Sequence, residues 1–203
     1  MNIIEITEAV MNGVTFFLQT IVKVIKLLNP SYIEQVFKNI KPASLGSLRF
    51  YLAITALPVF FGYYAHMAYF QDNPYSIENS IKIAFRYYAM AIIVPMVMAY
   101  VLYLFNTRLL KAKITHAEAL TLFAYAISPG LLSGIFRVYM ETWILHLLIV
   151  MYSVYLLYAS LGVRYGYEKV IMPYIFLALI GSITAIALQV ALTLALGIPQ
   201  TYF

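Results

Sequence analysis

Two histidines fall inside long hydrophobic stretches, where an imidazole can relay protons or bind a metal ion. They are His66 and His146. Two histidines do not complete an ordinary zinc site, although Glu141 stands close enough in sequence to approach His146. Hydrogen bonding between helices is therefore the favoured interpretation, with metal or proton chemistry as the alternative. His116 falls in a predicted connection and is expected to be solvated.

Three prolines, Pro58, Pro95 and Pro129, lie near the middle of hydrophobic segments. A proline removes one backbone donor from a helix and leaves a carbonyl that needs another partner. Freed carbonyls at similar depth could line an ion site, as in some transporters. No acidic residue accompanies these prolines, so kinks that let the helices wrap one another are favoured over a transport site.

The stretch 118–136 is the one around which the other segments are expected to pack. It is interrupted by Ser128, Pro129 and Gly130. Gly130 and Gly134 stand four apart, so on a helix they face the same way and allow a close backbone approach. Tyr125 lies one turn before the proline, where its hydroxyl could reach a freed carbonyl. The predicted central helix-packing site consists of Tyr125, Ser128, Pro129, Gly130, Gly134, Pro58, Pro95 and His146.

The sequence contains no recognisable catalytic set. There is no paired-carboxylate motif, no Gly-x-Ser-x-Gly, no HExxH and no phosphate-binding loop. Cysteine is absent, which excludes disulfides, thiolate catalysis and cysteine-ligated metals. The chain is therefore predicted not to be an enzyme and to carry no cofactor.

The composition predicts an integral membrane protein. Hydrophobic residues make up 64% of the chain and charged residues 10%, against roughly 25% charged in a soluble domain. Five apolar segments, at about residues 48–70, 83–105, 119–138, 143–162 and 171–196, are each long enough to cross a hydrocarbon core of about 30 Å as a helix. An odd number of segments without period-two alternation excludes a closed barrel. The predicted fold is an all-α, five-helix membrane bundle.

Residues 1–46 are predicted to form an amphipathic lead-in to the five-span domain 47–203. Apolar residues recur there at spacings of three and four: Ile6, Val10, Val14, Phe17, Leu18, Ile21, Ile25 and Leu28. Such helices suit the membrane interface, but packing on the protein's own surface is equally compatible with the pattern. The early Glu5 and Glu8 argue against a cleavable signal peptide.

The distribution of Lys and Arg predicts the orientation. Basic residues precede the first segment and follow the second and fourth, whereas the opposite side holds Lys82, Arg86 and Arg137. Arg86 is expected to snorkel out of the second segment, and Glu78 and Lys82 to form an ordinary helix pair. The amino terminus should therefore be cytoplasmic and the carboxyl terminus outside, with tyrosines such as Tyr63 and Tyr87 in an interfacial belt. The net charge of +5 fits anionic lipid headgroups, and no nucleic-acid-binding pattern is present.

Several short motifs in order resemble the Yip-domain (Ypt/Rab-interacting protein) family of five-span membrane proteins. They are Tyr125-x-x-x-Pro129 in the third segment, the run from Tyr155 to Gly166 that closes the fourth, and Leu28-Asn29-Pro30 followed by Phe37 in the lead-in. The resemblance implies membrane trafficking or shaping, since eukaryotic relatives associate with prenylated Rab-type GTPases and with one another. This chain lacks their long polar amino-terminal region, which argues against a Rab-type GTPase partner. It is more similar to prokaryotic members in a cell membrane.

We therefore expect a non-enzymatic membrane protein that organises the membrane or binds lipids or protein partners. The alternative from the sequence is a small channel or transporter, which needs a polar cavity at the bilayer centre bordered by Pro58, Pro95, Pro129 and Tyr125. Self-association is a further hypothesis. It rests on Gly130, Gly134 and an alanine face in the last segment, formed by Ala187, Ala191 and Ala195.

Overall fold

The computed structural model of the chain describes Met11 and residues 14–15, 18–19, 22–71, 75–108, 114–139 and 141–198, without the side chains of residues 106, 108 and 167–169. Every regular element in these ranges is helical. The lead-in predictions for Ile6, Val10, Phe17 and Ile21 lie outside the described residues.

The helices follow one another along the chain with short connections. They are a 3₁₀ turn at Pro30–Tyr32, α1 at Ile33–Lys38, α2 at Leu45–Thr55, α3 at Leu57–Ala65, a π-helical turn at His66–Phe70, α4 at Ile77–Arg108, α5 at His116–Leu132, a 3₁₀ segment at Ser133–Arg137, α6 at Trp143–Tyr165 and α7 at Tyr167–Ala195. We call the end of the bundle that holds residues 71, 75–76, 138–139 and 141–142 the distal end. The opposite end, which holds residues 41–44 and 166, is the proximal end.

Five helical stretches are long and apolar enough to cross a membrane, which confirms the predicted all-α five-span architecture. They are Leu45–Phe70, Ile77–Phe105, His116–Arg137, Trp143–Tyr165 and Val170–Ala195. The second span begins before the predicted residue 83, because its first turn is stabilised locally. There the Ser76 hydroxyl accepts from the Asn79 amide at 3.3 Å, and Lys82 pairs with Glu78 at 2.6 Å.

The third span is the centre of the bundle, as its sequence predicts. Its most apolar window is 78% buried inside the protein, whereas no other span exceeds 39%. A helix that is apolar on all sides must be covered on all sides by protein or lipid, and small side chains let neighbours come close. Ala119, Ala124 and Ala126 on α5 are fully buried in this way. The fifth span, at 11%, lies at the periphery.

The three mid-span prolines affect their helices differently. Pro58 lies in the first turn of α3, directly after the break at Ala56 that divides the first span into α2 and α3. Pro95 and Pro129 lie inside uninterrupted helices. Of the three prolines, Pro58 alone coincides with a break between two helices of its span. In the third span the α-helix continues past Pro129 and changes to 3₁₀ geometry at Ser133, whose hydroxyl donates to the Gly130 carbonyl at 2.8 Å.

The described part of the lead-in packs on the protein by one side and leaves another side exposed. Val24 and Leu27 are buried, and Leu27 joins a cluster with Phe37, Tyr125 and Leu156. The exposed side of the same segment carries Met11, Val14, Leu18, Val22, Ile25 and Leu28. Both predictions for this segment therefore apply to its described residues. Protein covers one apolar side, and the other apolar side remains available to lipid.

Candidate functional site

Two hydroxyl groups from neighbouring spans support the proline-glycine segment of α5. The Gly130 amide donates to Ser153 Oγ on α6 at 2.8 Å, and the same hydroxyl donates to the Ile149 carbonyl at 3.1 Å. Tyr51 on α2 forms a short hydrogen bond with Ser128, which also bonds the carbonyl one turn earlier. Interhelical polar contacts of this kind are how membrane bundles compensate for an irregular backbone.

Gly130 and Gly134 face different neighbours, contrary to the expectation of a shared face. A Cβ on Gly130 would meet Ser153 on α6, whereas a Cβ on Gly134 would meet Val59 on α3. Between the two glycines the helix changes to 3₁₀ geometry after Leu132, which increases the rotation per residue. Both contacts lie within one chain, so neither glycine supports the predicted self-association.

Tyr125 contacts the lead-in. Its hydroxyl accepts a hydrogen bond from Lys23 Nζ at 3.3 Å, and the same ammonium lies 5.5 Å from the ring centroid. Nearby, the Tyr152 hydroxyl donates a short hydrogen bond to the Leu27 carbonyl. Tyr125 and Tyr152 therefore hold the lead-in against the third and fourth spans.

A cavity of about 340 Å³ lies between the first four spans, which we call the central cavity. Most of its wall is apolar, with Ser153 and His146 among the few polar residues in it. The lining includes Val59 and Tyr63 from α3, Tyr87, Met90, Ala91, Val94 and Pro95 from α4, Ile127, Gly130 and Leu131 from α5, and His146, Val150, Ser153 and Val154 from α6.

The central cavity contains three residues of the predicted site, Pro95, Gly130 and His146. Pro58, Pro129, Tyr125, Ser128 and Gly134 do not line it. Tyr125 belongs to the packing against the lead-in, while Gly134 contacts α3. The polar, proline-bordered cavity that a transport site requires is therefore not formed by these residues.

On one side the central cavity is bordered by α4 and α6, two helices that have little direct contact with each other, and the fifth span packs against both of them. The fifth span packs along α4 from Phe105 beside Phe176 to Arg86 beside Thr193. It meets α6 nearer the proximal end, where the Tyr174 hydroxyl donates to the Val154 carbonyl at 3.4 Å. Val154, which lines the cavity, is 43% exposed. Part of the cavity wall therefore reaches the outer surface of the bundle.

The histidines bind neighbouring polar groups, which agrees with the favoured interpretation. His146 Nδ1 lies 2.8 Å from Ser133 Oγ, and His66 Nδ1 lies 3.2 Å from the Val138 carbonyl oxygen. No group of three potential metal ligands occurs among the described residues. His116 was predicted to be solvated, but its Nε2 atom is buried. The imidazole ring packs against the rings of Tyr100 and Tyr103.

A second cavity of about 330 Å³, the aromatic chamber, adjoins the central cavity at the distal end. Its lining consists of Tyr63, His66, Met67, Tyr87, Arg137, Tyr139 and Trp143. Tyr63 and Tyr87 also line the central cavity, so the two cavities adjoin at this pair. The two rings stack with centroids 3.7 Å apart and an angle of 9°.

An arginine lies over each ring of this stacked pair. Arg137 Cζ is 4.8 Å from the Tyr63 centroid and 5.7 Å from the Trp143 ring, and Arg86 Cζ is 4.8 Å from the Tyr87 centroid. Such cation–π contacts stabilise a guanidinium where water is scarce. The aromatic faces at the cavity wall are therefore already engaged by positive charges.

Arg137 has no ion-pair partner among the described residues. Its Nε is buried and lacks a hydrogen-bond partner within the same ranges. The residue as a whole is partly exposed, and an arginine near the end of a span without a counter-charge commonly marks a functional site in membrane proteins. The chamber thus presents donors and positive charge to whatever enters it.

The sequence analysis did not predict this chamber, because it assigned other roles to Tyr63 and Tyr87 of its lining and to Arg86, which lies over the Tyr87 ring. Arg86 was expected to snorkel outward, yet it is 4% exposed and donates to Thr193 Oγ1 at 2.9 Å. Tyr63 and Tyr87 were expected in an interfacial belt, but they face into the bundle. A usable signal was present, since Arg86 and Arg137 are ionisable residues at the ends of apolar segments with aromatic neighbours.

Comparison with protein-family models, curated proteins and solved structures finds no match for this chain.

Proposed function

We propose that this protein is a non-enzymatic membrane protein that binds a lipid acyl chain in its central cavity and thereby helps to organise the surrounding membrane. The observation that carries the proposal is the apolar cavity of about 340 Å³, whose wall reaches the outer surface of the bundle at Val154. Lipid binding is the part of the sequence expectation that this geometry favours.

The energetic cost of an empty cavity supports an occupant. Empty space in a protein interior is costly because the surrounding atoms lose packing contacts. An apolar cavity of about 340 Å³ therefore favours an occupant. Water gains little in a cavity with so few polar groups in its wall. An acyl chain fills the space with apolar contacts at no desolvation cost.

The size of the cavity fits part of one acyl chain. A methylene group occupies about as much space as a water molecule, roughly 30 Å³, so the cavity holds about ten methylenes. Moving a chain from bilayer to cavity gains little hydrophobic free energy, because lipid tails are as apolar as the wall. Occupancy therefore depends on packing in the cavity and on the headgroup.

The resemblance to the Yip-domain family supports a role in membrane organisation over catalysis. The exposed apolar side of the lead-in, together with Lys23 and Lys26, is suited to a membrane surface that carries anionic lipids. On the distribution of basic residues, we assign the lead-in and the amino terminus to the cytoplasmic side of the membrane. We propose the cell membrane of a prokaryote as the location of the protein.

Photocrosslinking tests the proposal directly. The purified protein is reconstituted with phosphatidylglycerol that carries a diazirine at mid-chain, and the labelled residues are mapped by mass spectrometry. We expect labels on the cavity side of α4 and α6, at Met90, Val94 or Val150. Ala91→Phe, which fills the cavity, should reduce these labels severalfold.

Ala187→Phe is the matched control, because Ala187 is exposed on the peripheral fifth span and does not line the cavity. It should leave the cavity labels unchanged. Labels confined to residues that face bulk lipid, such as Ile183 and Ile186, would contradict the proposal.

A further inference from the structure

We infer that the aromatic chamber recognises the anionic headgroup of the lipid whose chain enters the central cavity, with Arg137 as the residue that binds the phosphate. This inference rests on the proposed lipid binding and adds the chemical class of the ligand. It predicts selection for anionic phospholipids over zwitterionic choline lipids.

The position of the chamber matches the geometry of a lipid. The chamber lies at the distal end of the bundle, and the central cavity extends from it toward the middle of the spans, with Tyr63 and Tyr87 lining both. On α6, Trp143 of the chamber stands three residues, less than one turn, before His146 of the central cavity. A lipid with its chain in the cavity therefore has its headgroup at the level of Arg137.

Arg137 supplies the chemistry for an oxyanion. A guanidinium presents several donors in a planar fork that matches phosphate oxygens, and hydrogen bonds between charged groups are about twice as strong as neutral ones. Its Nε is buried without a partner among the described residues, and no carboxylate there neutralises its charge. A phosphate group would neutralise the charge of Arg137 and accept hydrogen bonds from its N–H groups.

The aromatic rings of the chamber are poorly suited to binding a choline group. A quaternary ammonium binds over open aromatic faces, but Tyr63 is covered by Tyr87 on one side and engaged by Arg137. Tyr87 is likewise engaged by Arg86, and Trp143 by Arg137. A second cation would meet two positive charges at this wall, so charge complementarity favours an anion.

The test compares headgroups on the same chains. Purified protein in nanodiscs of equal area receives trace diazirine-labelled phosphatidylglycerol or phosphatidylcholine, and crosslinks to the central cavity are counted. Both lipids carry the phosphate, so the selection comes from the choline ammonium, which meets the positive charges of Arg86 and Arg137. We expect about tenfold more cavity labelling by the anionic lipid, the factor that about 1.4 kcal/mol of like-charge repulsion supplies. Arg137→Gln should bring the ratio near one by lowering the phosphatidylglycerol signal, and Arg137→Lys should restore part of it.

Arg164→Gln is the matched control, because it removes one positive charge at the proximal end, where Arg164 pairs with Glu118. Its ratio should equal that of the wild type. Equal labelling of the cavity by both lipids in the wild type overturns this inference but leaves lipid binding intact. No cavity labelling by either lipid refutes the proposed function itself. If Arg137→Gln does not fold, the headgroup comparison on the wild type still decides the matter.

Discussion

Replacing Gly134 by alanine should loosen the contact on which the aromatic chamber depends. A Cβ at Gly134 would lie 2.6 Å from Val59 Cα and 2.7 Å from Val59 N. Carbon atoms prefer separations of about 3.5–4.0 Å, so α3 and the 3₁₀ segment must separate by roughly 1 Å. The obstruction includes backbone atoms, which cannot move aside by changing a rotamer. Overpacking of this kind costs about 1–3 kcal/mol.

The other glycines of the spans provide a graded series. In Gly181→Ala the added Cβ would lie 2.8 Å from Met98 Cε and Sδ, which form the end of a flexible side chain. The free-energy cost of moving this side chain should nearly cancel the gain in helix propensity from the alanine. Gly46 has nothing within 4 Å of an added Cβ, so Gly46→Ala should stabilise the protein by about 0.5–1 kcal/mol. The expected order of stability is therefore Gly46→Ala, then Gly181→Ala, then Gly134→Ala.

Thermal unfolding of the three variants in the same nanodiscs measures this order. For a chain of this length, each kcal/mol shifts the unfolding midpoint by about 2–4 °C, so Gly134→Ala should lower it by roughly 2–12 °C. The same variant should weaken headgroup selection, because Arg137 follows Gly134 by three residues on the displaced segment and lies over Tyr63 on α3. If Gly134→Ala unfolds at or above the wild-type midpoint, the argument from backbone contact is wrong.

Three smaller effects follow from the contacts around the central helix. Ser153→Ala should lower the free energy of unfolding by about 1 kcal/mol, within the range of interhelical hydrogen bonds in membranes. Ser182→Ala should be neutral in the same unfolding assay, because Ser182 is exposed and, among the described contacts, bonds only within its own helix. Tyr152→Phe should raise the rate of amide hydrogen exchange in residues 22–38, because it removes the hydrogen bond to the lead-in. If exchange is the same as in the exposed control Tyr155→Phe, this hydrogen bond does not hold the lead-in in place. Glu118→Gln should lower stability by about 0.2–1 kcal/mol and do so less at high salt, because its arginine partner is half exposed.

Some features of the fold were predictable because they depend on local chemistry alone. The five spans follow from the lengths of the apolar segments, and the Glu78–Lys82 pair follows from its i, i+4 spacing. The central position of the third span followed from its small residues and its proline, which need protein neighbours. The cap at Thr115, whose hydroxyl accepts from the Glu118 amide at 3.1 Å, also has a sequence signature.

The candidate site was only partly predictable, since it depends on the direction in which each side chain points. The sequence indicated Gly130, Pro95 and His146 but could not show that they share a cavity. It also suggested a common face for Gly130 and Gly134, whereas in the structure the helix changes to 3₁₀ geometry between them and they contact different neighbours. Local spacing cannot report such a change in helical geometry.

By itself, the sequence determined that lipid is the solvent of this chain and that five helices cross it, because backbone groups in hydrocarbon must be satisfied within each segment. The tertiary structure alone decided which polar side chains turn inward. Tyr63 on α3, Tyr87 on α4 and Arg137 after α5 come from three different spans, and no pattern within one segment brings them together. Their meeting depends on how the helices are rotated about their axes, which packing between spans fixes.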